Sequence, residues 1–212
     1  MQVAHIKRSL CLLMVCLLSM ALTGCVIVHH DEVGQEETLS YAEQYARDIW
    51  ESEFIPYLEE NAVDIGTLLA AMREDPEQAR AEYGSIAKGA RNGEAFIVHG
   101  SGTVVTVDTE SSSGSIAIDI DADGITDCAL QIGPIVKTTA LRDCVPFISF
   151  DQFSDQTEFA GVSRTLNNIG IECAVGERDL TQLEGTQVSF LGAYADQEQG
   201  QMQIIPVKLE DA

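Results

Sequence analysis

The stretch Ser115-Ile-Ala-Ile-Asp-Ile-Asp-Ala-Asp-Gly-Ile-Thr-Asp-Cys-Ala-Leu-Gln-Ile132 decides the fold. Two apolar runs with a period of two residues flank an Asp- and Gly-rich turn, and this period is typical of half-buried β-strands. The alternating apolar positions are Ile116, Ile118, Ile120, Cys128, Leu130 and Ile132. The stretch therefore predicts two neighbouring strands joined by a turn.

The strand pattern recurs before and after this pair. Thr103–Asp108 is rich in Val and Thr, and the alternating stretches Gln187–Tyr194 and Met202–Glu210 lie near the C-terminus. Pro206 indicates an edge strand, because proline has no N–H to donate to a ladder. Ser154–Asn168 has a helical period instead. We expect an α+β fold built on a mostly antiparallel, OB-like β-barrel or sandwich.

A helical segment at residues 40–93 precedes the β-rich domain at residues 94–212, and we expect the two to form one compact unit. Its apolar face recurs at steps of three and four residues, namely at Ala46, Ile49, Trp50, Phe54, Tyr57 and Leu58. Pro56 should kink or restart the helix. Asp64 and Asp75 are suited to cap two further helices, the second of which has Pro76 at its first position.

The first residues of the chain read as a signal for export. Lys7 and Arg8 precede the apolar run Leu10–Leu22, which is short for a membrane span. The run ends in Leu22-Thr23-Gly24-Cys25, the lipobox pattern of bacterial lipoproteins. We therefore predict a signal peptide at residues 1–24, lipidation at Cys25 with acyl chains such as palmitate, and a polar tether at residues 25–39.

An uncleaved N-terminal anchor is the alternative, because the apolar run resumes at Val26-Ile27-Val28. Both interpretations place residues 29–212 outside the cytoplasm. The expected location is the cell envelope, lipid-anchored on the extracytoplasmic side, which is the periplasm in a Gram-negative cell.

The charge of the chain excludes one class of partner. Its 212 residues include 12 Lys and Arg against 34 Asp and Glu, for a formal net charge of -22. Such a field repels phosphate, so we expect no nucleic-acid partner. It also repels anionic lipid headgroups, so attachment to a membrane must depend on the N-terminal lipid.

The turn in the opening stretch carries a candidate calcium site. Asp119, Asp121, Asp123 and Asp127 match the spacing of calcium loops, and Gly124 permits the sharp turn that makes carboxylates converge. An EF-hand is excluded, because its twelfth position is Leu130 rather than Glu. The alternative is an empty acidic turn, since Asp-Gly is itself a hairpin signal. A bound calcium would be structural, and no other cofactor is expected.

No catalytic residues are predicted, because the sequence has neither Gly-x-Ser-x-Gly nor a phosphate-binding loop. His99 reads as a surface or hydrogen-bonded histidine. Arg142 and Asp143 form either a local ion pair or a contact to a ligand or partner, since arginine is scarce in this acidic chain.

The cysteines of the exported part leave two interpretations open. Cys128, Cys144 and Cys173 are odd in number, so at most one pair can form within the chain. A Cys128–Cys144 disulfide would close a short loop. Alternatively, all three are free thiols that pack as small hydrophobes.

Several sequence blocks together resemble a known family. With the lipobox they are Asp48-Ile-Trp-Glu-Ser, Ile55-Pro-Tyr-Leu, Gly102-Thr-Val-Val-Thr-Val-Asp, Leu130-Gln-Ile-Gly-Pro, Thr139-Ala-Leu-Arg-Asp, Phe147-Ile-Ser-Phe-Asp-Gln-Phe, Gly185-Thr-Gln-Val-Ser-Phe-Leu-Gly-Ala and Ile205-Pro-Val-Lys-Leu. Over about residues 20–210 the chain resembles the bacterial predicted periplasmic lipoproteins of domain of unknown function 2291. The resemblance implies a small β-barrel-like domain with a helical insertion, and it implies no catalytic residue.

The resemblance also implies a partner, because genes of this family often lie beside ribose-type sugar ABC transporters. We therefore expect an extracytoplasmic, membrane-anchored lipoprotein that is a non-enzymatic accessory to such a transporter. The alternatives are a module that binds a sugar or calcium and, third, a calcium-dependent hydrolase.

Overall fold

Five strands between residues 95 and 211 pair in a closed ring. The computed structural model describes residues 39–85, 94–176, 178–196 and 202–212. The strands are β1 (Val63–Asp64), β2 (Ala95–Asp108), β3 (Ser115–Asp119), β4 (Cys128–Gln131), β5 (Gln187–Ala195) and β6 (Met202–Asp211). The ring runs β2-β3-β4-β6-β5 and returns to β2, and β1 adds to β2 from outside. Within the ring, only β4 and β6 pair in parallel. The expected α+β, mostly antiparallel barrel is confirmed.

The ring closes because β2 is long enough to pair with two strands. Its residues from Ala95 to Thr103 pair with β5, and those from Thr103 to Asp108 pair with β3. Gly102 lies where the partners change, and a Cβ there would approach the carbonyl oxygen of Asp119 to 2.4 Å. The absent side chain thus lets the two strands approach at the crossing point.

The prediction of an edge strand at Pro206 is wrong, because β6 has a neighbour on each side. The β4 pairing covers only Met202–Ile204 and therefore ends before Pro206. On the β5 side, the register shifts between Leu191 and Gly192, which is the partner of Pro206. Pro206 therefore lacks its N–H at a point where the hydrogen-bonding ladder between β5 and β6 is already irregular.

Among the described residues, four α-helices lie before the barrel: α1 (Tyr41–Ile49), α2 (Ile55–Asn61), α3 (Ile65–Glu74) and α4 (Pro76–Tyr83). A π-helical turn, Trp50–Phe54, joins α1 to α2 just ahead of Pro56. The helix therefore widens locally to the π form instead of ending before the proline. The predicted caps are confirmed: Asp64 accepts the N–H of Thr67 at 2.9 Å, and Asp75 accepts that of Gln78 at 3.1 Å.

Two helices, α5 (Ala140–Asp143) and α6 (Gln156–Val175), lie between β4 and β5, with short 3-10 turns at Phe150–Gln152 and Leu180–Gln182. The sequence predicts α6 only as far as Asn168. The helix continues because Gly170 packs against β6, where a Cβ would lie 2.8 Å from the carbonyl oxygen of Pro206. This glycine marks close packing and not a helix end.

The core has two parts. The helical core lies between α1, α2, α5, α6 and the outer face of β5 and β6, and it includes Trp50, Phe54, Leu141, Cys144, Leu166 and Val207. The barrel core includes Phe96, Ile116, Ile118, Cys128, Leu130 and Ile204. Cys128 and Cys144 therefore lie in different cores, and among the described residues the thiols of Cys128, Cys144 and Cys173 are all free. Burial raises the pKa of Cys128 to about 12.

Residues 39–212 form one compact unit. The predicted signal peptide, the lipidation site Cys25, the tether up to residue 38 and the end of the helical segment at residues 86–93 lie outside the described residues. No helix in the described parts of the chain is both long and apolar enough to cross a membrane.

Candidate functional site

A cleft of about 610 Å³ opens between helices α3 and α4 and the barrel. Its apolar wall consists of Leu69, Met72, Pro76, Tyr194, Ala195 and Met202. Its charged residues are Arg80, Asp127, Lys137 and Asp196, and its uncharged polar residues are Gln131, Thr138 and Gln203. The cleft thus has an apolar wall and a polar, charged wall of similar size, so it suits a small ligand that has both apolar and polar groups.

An ion pair fixes α4 at the rim of the cleft. The Nε atom of Arg80 donates to Asp196 Oδ2 at 2.6 Å, and Glu94 lies 3.9 Å from the same nitrogen. The hydrogen bond to Asp196 is the main reason why the pKa of Arg80 lies above its usual value. A backbone bridge between Ser85 and Ala95 adds a second attachment just after the helix.

Tyr194 closes one side of the cleft. Its ring stacks on Phe96 with centroids 4.9 Å apart and an angle of 15° between the planes. Burial raises the pKa of the Tyr194 hydroxyl. Because Phe96 belongs to the barrel core, this wall is rigid.

Of the polar cleft residues, sequence reasoning singled out only Asp127, and among those that it missed Gln131 stands apart. It ends β4, and its Oε1 atom is buried without a hydrogen-bond partner among the described residues. A buried polar atom without a partner is rare in native structures, and each case calls for an explanation. The sequence offered no signal, because Gln131 reads there only as the polar position between Leu130 and Ile132.

Packing against α6 fixes the loop that carries Lys137 and Thr138. Asn167 is 2% exposed, and its Nδ2 atom donates to the carbonyl oxygen of Thr138 at 2.9 Å. The N–H of Ala140 donates to Thr138 Oγ1 at 3.1 Å. The two cleft residues are therefore held by the fold on their C-terminal side.

The acidic turn is closed by its own carboxylates. Asp119 accepts the N–H groups of Ala122 and Gly124, both at 2.8 Å, and Asp127 accepts that of Ile120 at 2.8 Å. Ala122 and Gly124 have φ values of 63° and 85°, so the chain turns through the left-handed region here. These bonds give the turn its shape.

The structure brings three of the four predicted metal ligands together. Oxygen atoms of Asp119, Asp121 and Asp127 lie within 4.8 Å of one another. Asp123 is outside this cluster and accepts the N–H of Ile125 at 2.7 Å instead. Arg73 lies 3.5 Å from Asp127 and offsets part of the negative charge. Carboxylate oxygens are the type of ligand that calcium prefers, but three of them are fewer than the six to eight oxygens that calcium takes.

Arg142 and Asp143 form an internal ion pair. The side chains are 8% and 5% exposed, and Arg142 Nη2 lies 2.7 Å from Asp143 Oδ1. Arg142 also donates to the carbonyl oxygen of Phe159 at 3.3 Å, and its guanidinium lies 3.8 Å from the centre of that ring. Thr139 donates to Asp143 at 2.5 Å. The geometry supports the local ion pair, and neither residue lines the cleft.

His99 is exposed, as the surface interpretation predicts. It lines a second groove, of about 340 Å³, which lies along the paired strands β2 and β5. The ion pair between Lys208 and Glu59 borders this groove. The groove shares no residue with the cleft.

The fold and the cleft define a class: an α+β protein built on an OB-type barrel. A crystal structure of an OB-fold protein from Thermotoga maritima is similar, with a TM-score of 0.66 and 18% identity, over 82% of this chain and 99% of that one. At this identity the similarity shows the fold alone.

The family follows from the sequence itself. The family model described as predicted periplasmic lipoprotein, domain of unknown function 2291, matches residues 15–210, so the chain belongs to this family. It is accordingly a lipoprotein anchored on the extracytoplasmic side of the cell envelope. No curated protein matches the chain. Lipidation at Cys25 itself stays a prediction.

Proposed function

We propose that this lipoprotein is a non-enzymatic binding module whose cleft takes a small hydroxylated ligand, of which sugars are the main class. The observation that carries the proposal is that Gln131 lines the cleft while its buried Oε1 atom has no hydrogen-bond partner among the described residues. Barrels of the OB type are also known to bind oligosaccharides, which supports the proposal by analogy.

The Gln131 acceptor explains why the ligand should carry hydroxyl groups. A buried acceptor without a donor costs about 1–3 kcal/mol, and a ligand hydroxyl that donates to it recovers this cost on binding. Thr138 and Gln203 add further polar groups nearby, while Leu69 and Met72 offer a surface for the C–H face of a sugar ring.

The cleft suits binding better than hydrolysis. Its two carboxylates, Asp127 and Asp196, are each paired with an arginine, Arg73 and Arg80 respectively. Both carboxylates are thus engaged by a guanidinium, so the described part of the cleft offers no free pair of carboxylates for acid–base chemistry.

Replacement of Gln131 by Met tests the proposal. We expect the purified lipoprotein to be stabilised against heat by a pentose or hexose, by mass action. In Gln131→Met this shift should vanish, while the unliganded protein should gain about 1 kcal/mol, or about 2–4 °C in melting temperature, because the unpaired acceptor is gone. Thermal-shift measurements with and without sugar check both effects.

The matched control is Gln187→Met, which changes an exposed glutamine on β5 outside the cleft. It should leave both the sugar shift and the unliganded stability unchanged. A panel of pentoses and hexoses that produces no shift in the native protein contradicts the proposal, as does a Gln131→Met variant that keeps the shift.

We also propose that the module works beside a sugar ABC importer. Support comes from what the family resemblance implies, namely that such genes often lie beside ribose-type sugar transporters, and from the anchorage of the chain on the extracytoplasmic side. Crosslinking in intact cells should capture transporter subunits or the sugar-binding protein with the lipoprotein. A capture that yields neither contradicts this part of the proposal.

Calcium binding in the acidic turn is a second candidate function, favoured by the three carboxylates within 4.8 Å of one another. At a calcium concentration of about 100 times Kd, the native protein should gain about 2.7 kcal/mol, or roughly 5–10 °C in melting temperature. Asp121→Asn should remove this gain, whereas Asp123→Asn, in the same turn but outside the cluster, should keep it. Equal responses of the two variants, or no response to millimolar calcium, contradict the candidate.

A further inference from the structure

We infer that the ligand of the cleft carries a single carboxylate beside its hydroxyl groups, as a uronic acid does. The inference rests on the proposed function and adds the chemical class of the ligand. It is carried by the charges of the cleft, where Lys137 is left without an acidic partner among the described residues.

The other charges of the cleft already have partners. Arg80 is paired with Asp196 at 2.6 Å, and Asp127 lies 3.5 Å from Arg73. Lys137 is exposed and takes part in no ion pair with a described residue. Arg47 and Arg164 also take part in no ion pair with a described residue, but Lys137 is the cation of this kind that lines the cleft. A carboxylate on the ligand would supply the missing partner.

The charge balance favours a carboxylate over a phosphate. Arg80 and Lys137 offset Asp127 and Asp196, so the lining has no net charge before a ligand enters. One negative charge can pair with Lys137. A second one, as on a phosphate ester near neutral pH, would face Asp127 and Asp196 in the field of a chain with a net charge of -22.

The fold also positions the lysine. Thr138, the next residue, is held on α6 by the hydrogen bond from Asn167, at 2.9 Å. The backbone of Lys137 is thereby fixed near Gln131, the other residue that the ligand should contact. A hydroxyl of a sugar acid would thus donate to Gln131, while its carboxylate would pair with Lys137 in the same cleft.

Calorimetric titration of the lipoprotein in detergent at low ionic strength tests the inference with two matched pairs, glucuronate with glucose and galacturonate with galactose. Within at least one pair, the acid should bind about two- to fivefold more tightly, which is the strength of an exposed ion pair. Lys137→Met should abolish this preference but retain binding of the neutral sugar. Lys137→Arg should keep the preference, and 0.5 M salt should weaken it.

The control is Lys208→Met, which removes a lysine from the separate groove and should leave the preference intact. Equal affinities for acid and neutral sugar overturn the inference but leave the proposed function standing. Tighter binding of glucose 6-phosphate than of glucuronate overturns the choice of a carboxylate. Absence of binding by all these probes overturns both the inference and the proposed function.

Discussion

Replacement of Arg142 by Ala should lower the free energy of unfolding by about 3–5 kcal/mol, a large fraction of the stability of a domain. The change leaves Asp143 charged inside the fold, with only the Thr139 hydroxyl as a partner. It also removes the hydrogen bond to the Phe159 carbonyl and the contact with that ring. Because these contacts join α5 to α6, the helical core should loosen with them. Denaturant unfolding measures the loss.

Two further variants show whether the loss comes from the buried charge. Arg164→Ala removes an exposed arginine from the same layer and should change stability by about 0.5 kcal/mol or less. The double variant Arg142→Met with Asp143→Leu removes both charges and should be more stable than Arg142→Ala alone, because no charge is left without a partner. A double variant that is less stable than the single one contradicts this account.

The second large effect concerns the membrane. A chain in which residues 1–25 are replaced by an ordinary cleavable export signal should leave the membrane fraction, whereas the native chain should stay there. Each buried CH₂ of an acyl chain contributes about 0.8 kcal/mol to anchoring, and two or more chains make it stable. The charge of -22 provides no substitute for this lipid. Fractionation of cells checks the prediction.

Mass spectrometry distinguishes the lipid anchor from an uncleaved apolar one. The native chain should begin at Cys25 and carry the mass of its acyl groups, and washing with high salt should not release it. A native chain that retains Leu10–Leu22 contradicts lipidation and favours the anchor. If the variant with the replaced signal stays in the membrane fraction, the lipid is not what holds the protein there, and a protein partner is indicated instead.

Local signals in the sequence were sufficient to predict where α3 and α4 begin. Asp64 and Asp75 cap helices because their carboxylates bond to amides only three residues away. The alternation at residues 116–120 was equally local. The closure of the barrel was not predictable in this way, since β2 divides its pairing between β3 and β5 and residues almost a hundred positions apart meet. The prediction of an edge strand at Pro206 was wrong for the same reason, because the strands beside β6 are set by distant pairing.

The same distinction between local and distant contacts applies to the candidate site. The acidic turn could be predicted because its carboxylates lie within nine residues of one another. The structure brings Asp119, Asp121 and Asp127 together and leaves Asp123 outside this cluster, and calcium binding there stays a prediction. The cleft was not predicted, because α3, α4, three strands and three loops each contribute only one or two side chains to it. Arg142 was recognised as unusual, but only the packing of α5 against α6 shows that its charge is enclosed.

The parallel pairing of β4 with β6 has a consequence for the timing of export. The ring cannot close until Met202–Ile204 lies beside Cys128–Leu130 and the rest of β6 has joined β5. Before that, β4 and β5 each present an open edge. Such distant contacts form slowly, because a long loop must be ordered first. The barrel therefore cannot close before β6 is available, so we expect the exported chain to complete its folding only after β6 has crossed the membrane.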